Sequence, residues 1–264
     1  MADGSPQRAA PSMGRVSDAP LLSPDRPALP VPAATRRPGA LPDAVLWDMD
    51  GTLIDTEPYW MAAETELVEA HGGTWSHEQG LAMVGQPLVV SAQILRDHGV
   101  PLEIDEIVDF LIGRVVDEVT RHVPWQPGAL RLLTALAEAD VPCALVTMSY
   151  RRLAEPFVAA APAGVFRTVV AGDDVTHGKP HPEAYLTAAA RLGVDPRRCV
   201  AVEDSPAGIG SALAAGARTI GVEVMLPVEP APGLSRVASL ADLDLADLTR
   251  VAQGDVLDGL GSTA

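Results

Sequence analysis

Leu46-Trp47-Asp48-Met49-Asp50-Gly51-Thr52-Leu53-Ile54-Asp55-Thr56 joins an apolar run to two carboxylates one residue apart, and then to a glycine turn. Ala44 to Trp47 reads as a short buried strand, and a side-chain period of two sends Asp48 and Asp50 to the same side at its carboxyl end. Open α/β sheets bind their ligands at that end. Two like charges so close repel each other. That suits either a bound cation or two carboxyls whose pKa values are driven apart for nucleophilic and acid/base work. Taken alone, the segment reads equally well as a strand followed by an Asp-Gly turn.

Three further segments extend the pattern. Val141 to Thr147 is a second apolar strand, and it runs into Thr147-Met148-Ser149, placing hydroxyls at a strand end. Gly178-Lys179-Pro180-His181-Pro182-Glu183 sets a lysine just ahead of a helical pattern, and Cys199 to Val202 is a strand ending in Glu203-Asp204-Ser205-Pro206. In this order and spacing the four segments resemble the motifs of the haloacid dehalogenase (HAD) superfamily, in its branch of sugar-phosphate phosphatases and β-phosphoglucomutases. The resemblance spans Pro42 to Leu248.

Between the first and second strands the pattern is helical. Pro58 stands early in a helix that runs to Ala70 and stops at His71-Gly72-Gly73. Ser76 and Gln79 match a capping box, and Leu88 to His98 ends at Gly99. Ile107, Val108, Leu111, Ile112, Val115, Val116 and Val119 form an apolar stripe at helical spacing. Thereafter strands and helices alternate: Arg152 to Ala159, Thr168 to Ala171, Glu183 to Leu192, Cys199 to Val202, Ala207 to Ala215 and Ala217 to Val222. Apolar strands without alternation imply burial on both faces, and the interleaved helices imply a parallel sheet with right-handed crossovers. The expected architecture is α/β, a doubly wound, Rossmann-like parallel-sheet HAD core. Residues 43–57 and 126–250 are expected to form this core, with an inserted α-helical cap at 58–125. The proline-rich stretch 1–42 is expected to be a disordered arm, and 251–264 a C-terminal tail.

Composition narrows the function. A net charge of -16 over 264 residues repels polyanions, so neither nucleic acid nor an anionic membrane is an expected partner through bulk charge. Pro20, Pro24, Pro27, Pro30 and Pro32 break the apolar pieces of the first segment, leaving no signal-peptide core, and no run reaches the length of a membrane span. Cys143 and Cys199 fall in predicted buried strands, which suits small core residues in a reducing cytoplasm. Gly172 to Lys179 is one residue too long for a phosphate-binding Walker loop, and Gly208-Ile209-Gly210 lacks the third glycine of a dinucleotide fingerprint. By spacing, none of the six histidines forms a zinc-type pair. The resemblance implies a small phosphorylated metabolite as substrate, and the chain is expected to be a cytoplasmic monomer or weak dimer.

The resemblance implies roles. Asp48 attacks phosphorus to give an aspartyl-phosphate, and Asp50 protonates the leaving oxygen and then deprotonates water. Thr147, Ser149 and Lys179 hold the phosphoryl oxygens. Asp48, Asp50 through its backbone carbonyl, Asp204 and Glu203 make an all-oxygen site that favours Mg²⁺. Glu57, Trp60 and Arg114 are candidate specificity residues of the cap. Mutases of the family carry a histidine where this chain has Trp60, and an arginine in the segment that here reads Met83-Val84-Gly85-Gln86-Pro87. The expected activity is therefore an Mg²⁺-dependent phosphatase, with a phosphosugar mutase as the alternative and a non-catalytic binding protein as a third reading.

Overall fold

The structure, a computed structural model, describes residues 40–261; the expected arm at 1–42 lies outside them except for its last three residues. Six parallel strands form one sheet in the order β3-β2-β1-β4-β5-β6. They are β1 (Ala44–Trp47), β2 (Cys143–Val146), β3 (Phe166–Val170), β4 (Cys199–Glu203), β5 (Arg218–Val222) and β6 (Leu234–Val237). Every residue of β1, β2 and β4 is buried, as strands covered by helices on both faces must be. β1 is central, flanked by β2 on one side and β4 on the other. The chain order reverses at β1, so a crevice opens beyond its carboxyl end.

Four helices are inserted between β1 and β2: α1 (Glu57–Ala70), α2 (His77–Leu81), α3 (Leu88–Asp97) and α4 (Ile104–Arg121). The Ser76–Gln79 capping box starts α2. On α4, Ile107, Val108, Leu111, Ile112, Val115 and Val119 are buried, whereas Val116 is only half-buried at the edge of the stripe. The chain leaves and re-enters the sheet domain at one place. The Asp55 N–H donates to Pro124 O and the Gln126 N–H to Leu53 O, both at 2.9 Å, so the two connections run side by side.

The remaining helices are α5 (Ala129–Glu138), α6 (Arg151–Ala160), α7 (Glu183–Leu192), α8 (Pro206–Ala214) and α9 (Leu245–Gln253). Within 251–264, Val251 and Ala252 are buried on α9. Leu257 packs against the main core, and the Arg236 N–H donates to Leu257 O at 2.8 Å, so residues 257–259 lie along the edge of β6. Both cysteines are buried and unbridged, and burial pushes the Cys143 thiol up to about 12, which keeps it an inert core group. No helix among the described residues is long and apolar enough to cross a membrane.

Candidate active site

Four strand ends and the loops that leave them converge on the crevice. Asp48 follows β1, Thr147 follows β2, Lys179 arrives on the loop after β3, and Glu203 closes β4 with Asp204 next to it. Gly51 has φ +87°, and a Cβ there would stand 2.2 Å from Asp204 Oδ2. Glycine is therefore required twice over, by the left-handed turn and by the approach of the carboxylate.

Lys179 is the hub. Its ammonium donates to Asp48 Oδ1 at 2.6 Å, to Val146 O at 2.9 Å and to Glu203 Oε1 at 2.5 Å, with the side chain only 5% exposed. Burial works against the Lys179 cation, but Asp48 and Glu203 outweigh it and raise its pKa. Burial also raises the Asp48 carboxyl well above the usual carboxylate range; Lys179 opposes that rise, and the charges of Glu203 and Asp204 add to it. Asp204 is pushed up to about 7, first by burial and then by Glu203. Its Oδ1 accepts from Thr52 Oγ1 at 3.1 Å.

The Asp50 carboxylate occupies a separate compartment. Its Oδ1 accepts from Thr56 Oγ1 at 2.7 Å, and its Oδ2 from Ser149 Oγ at 2.8 Å and Thr147 Oγ1 at 3.3 Å. Thr147 in turn accepts the Ser149 N–H at 2.9 Å. Three hydroxyls thus fix the orientation of Asp50 beside Asp48.

Asp48, Glu203 and Asp204 present carboxylate oxygens within 4.8 Å of one another. Three acids against one lysine leave uncompensated negative charge in a buried place, and oxygen-only donors suit a hard divalent ion, so these residues fit Mg²⁺. Glu203 is the least free of the three. Its Oε1 already accepts from Lys179 and from Tyr185 Oη at 2.8 Å, and its Oε2 from Ser205 Oγ at 3.2 Å and the Ser205 N–H at 3.4 Å. Helix α8 closes over it: a Cβ at Gly208 would lie 1.9 Å from Glu203 Oε1.

The helical block is placed unevenly. Glu57 is half-buried at the start of α1, and burial, followed by the charges of Asp50 and Asp55, pushes it up to about 7. Trp60 is half-buried against the main core. Arg114 is not brought to the carboxylates: it forms an ion pair with Glu66 across α1 and α4 and lies 5.3 Å from the centroid of the Phe110 ring. Sequence reasoning also misses Tyr185, Thr52 and Gln126, whose Nε2 donates to Gly51 O at 3.0 Å. Tyr185 stands two residues beyond the last residue of the lysine motif, at the start of α7, where it reads as ordinary apolar packing. The histidines depart from expectation as well, because His177 and His181 stand together with Glu183.

A family model described as haloacid dehalogenase-like hydrolase matches residues 42–216. Hexitol phosphatase A of Escherichia coli is 34% identical over 227 residues, 80% of this chain and 96% of its own length. Validoxylamine A 7'-phosphate phosphatase of Streptomyces hygroscopicus subsp. limoneus is 32% identical over 219 residues, 78% of this chain and 94% of its own. Among solved structures, CbbY from Rhodobacter sphaeroides in complex with phosphate superimposes with a TM-score of 0.70 at 30% identity, covering 79% of this chain and 99% of that one. The chain belongs to the haloacid dehalogenase-like hydrolases, in their sugar-phosphatase branch, and is a phosphoric monoester hydrolase.

Proposed function

We propose that the chain hydrolyses the phosphate monoester of a small polyhydroxylated metabolite through an aspartyl-phosphate on Asp48. The observation that carries this reading is the Lys179 ammonium, held at once by Asp48, Glu203 and the Val146 carbonyl. A phosphoryl group entering beside Asp48 meets a fixed cation, with the Thr147 and Ser149 hydroxyls on its other flank. Asp48 attacks phosphorus, and Asp50, oriented by Thr56, Thr147 and Ser149, gives its proton to the departing oxygen. Asp50 then takes a proton from the water that opens the acyl phosphate. Asp48, Asp204 and the Asp50 backbone carbonyl are the groups that would hold Mg²⁺, which screens the anionic substrate from the anionic nucleophile. Glu203, with four donors on its oxygens, serves to hold Lys179 in place.

A polyol phosphate as substrate is supported by the relatives, which are named for hexitol and validoxylamine phosphates. Transfer to a second phosphate is disfavoured because Met83 to Pro87 holds no arginine and Arg114, a cationic specificity candidate of the cap, is committed to Glu66. The test is phosphate release from a panel of sugar, polyol and glycolytic phosphomonoesters with Mg²⁺, for the parent and Asp48→Asn. One polyol phosphate should be hydrolysed well, with a loss of at least ~10³-fold in the variant. Activity within a few-fold of the parent in Asp48→Asn rejects the covalent route. Conversion of β-glucose 1-phosphate to glucose 6-phosphate faster than phosphate release rejects the hydrolase in favour of a mutase.

A further inference from the structure

The loop that delivers Lys179 to the crevice carries, on its outer side, His177, His181 and Glu183. The His177 and His181 rings are 4.7 Å apart between centroids, and both side chains are more than half exposed. Glu183 Oε2 lies 2.8 Å from His177 Nδ1 and 3.9 Å from His181 Nδ1. With metal–ligand bonds of about 2.0–2.1 Å, neighbouring donors around a tetrahedral ion stand about 3.3 Å apart, midway between those two separations.

The framework behind the three side chains is fixed. Glu183 accepts the Thr176 N–H at 2.8 Å and the His177 N–H at 3.0 Å, tying the start of α7 to the incoming loop. Ser211 Oγ donates to His181 O at 2.7 Å, tying the outgoing side to α8. The His181 N–H donates to Gly178 O at 3.0 Å and closes the turn between the histidines. The loop backbone already brings the three side chains together, and an ion would take over the His181 Nδ1 lone pair that now accepts the Glu183 N–H at 3.3 Å.

We propose that His177, His181 and Glu183 form a second, solvent-facing metal site that takes a Zn²⁺-class transition ion, with water completing its coordination. Two imidazoles and one carboxylate select such an ion, whereas the carboxylates around Asp48 select Mg²⁺. On binding, the ion takes the place of the hydrogen between His177 Nδ1 and Glu183, and the neutral imidazole then carries its ring proton on Nε2. The ion then bridges the two ends of Gly178-Lys179-Pro180, so the turn that carries the catalytic lysine is clamped from outside.

Co²⁺ is the probe, because four-coordinate Co²⁺ with nitrogen donors absorbs strongly in the visible, whereas an oxygen-only octahedral site absorbs weakly. Full-length protein saturated with Mg²⁺ is titrated with Co²⁺. The expected result is an intense visible band saturating at one ion per chain, displaced by Zn²⁺, and lost in both His177→Ala and His181→Ala at unchanged Tm. An intense band that survives either substitution, or no band in the parent, overturns the assignment. Glu183→Gln gives a further check: the band should weaken or shift, and an unaltered spectrum removes Glu183 from the site.

Discussion

Tyr185 Oη donates to Glu203 Oε1 at 2.8 Å, the same oxygen that Lys179 reaches at 2.5 Å. The tyrosine is fully buried, and its ring centroid lies 5.3 Å from the lysine ammonium. The phenol therefore supports the Lys179 ammonium twice, through the carboxylate it orients and through the face of its ring.

Tyr185→Phe keeps the ring and removes only the hydroxyl. A hydrogen bond to a charged group contributes about 1.5–3 kcal/mol, so kcat should fall roughly tenfold or more, with KM changing far less. A steady-state analysis of the variant separates the two. A raised KM at parental kcat would show that the hydroxyl serves substrate binding instead.

Two glycines two positions apart on α8 should respond oppositely to alanine. At Gly208 the added methyl meets the buried Glu203 carboxylate, an overpacking penalty of about 1–3 kcal/mol that should lower Tm by several degrees and reduce activity with it. At Gly210 the nearest atom would be Pro180 Cβ at 3.8 Å, so alanine should be tolerated and could add up to about 1 kcal/mol of helix stability. Melting curves of the two variants decide the point.

Stability should fall as pH rises through neutrality. Glu64 is buried on α1, with Oε2 accepting from Trp75 Nε1 at 3.3 Å, and burial raises its pKa from 4.5 to about 7. A folded-state pKa above the unfolded one means the native state binds more protons between those values. The stabilising contribution is therefore complete below about pH 4.5 and is lost as pH rises past 7. Glu57 shifts in the same direction. In metal-free buffer the decline of Tm from pH 5 to 8 should be shallower in Glu64→Gln than in the parent, and equal slopes would remove Glu64 as a contributor.

Chelation should silence the enzyme and Mg²⁺ should restore it, while Ca²⁺ should not. Ca²⁺ seeks more oxygens at longer distances and would draw Asp48 into a bidentate contact incompatible with attack. Phosphate release in EDTA, before and after each ion is added back, measures this directly.

The parts of the molecule visible in the sequence are those where local pattern and tertiary role coincide. β1, α7 and the Ser76–Gln79 cap agree with expectation to the residue, because an apolar run, a Pro182 start with a Gly193 stop and a capping box are each short-range signals. β6 escapes notice because Arg236 interrupts its apolar run. That arginine is buried through two 2.9 Å contacts with Asp258, and nothing before folding reveals the partner. α5 carries a clear stripe of Leu132, Leu133 and Leu136, but Gly128 supplies no side-chain cap to announce it. At the site, Asp48 and Asp50 stand out through residue type and spacing, and Lys179 and Asp204 through the resemblance of their segments to the family's motifs. The hydroxyl cage around Asp50 and the Tyr185 contact are visible only once strands far apart in sequence lie side by side. The His177–His181 pairing depends on a turn, a geometry that helix and zinc-motif spacings do not describe.

The antiparallel connections Leu53 to Asp55 and Pro124 to Gln126 let the helical block leave and rejoin the sheet at one seam, while Arg152 on α6 ties its far side through Asp109. Because the chain departs and returns at neighbouring points, a block of different length or shape can be exchanged there without disturbing the register of a single strand. The Gln126 amide on Gly51 O ties the returning side of that seam to the turn that follows Asp48 and Asp50, so the two ends of the inserted block and the acidic turn form one hydrogen-bonded unit.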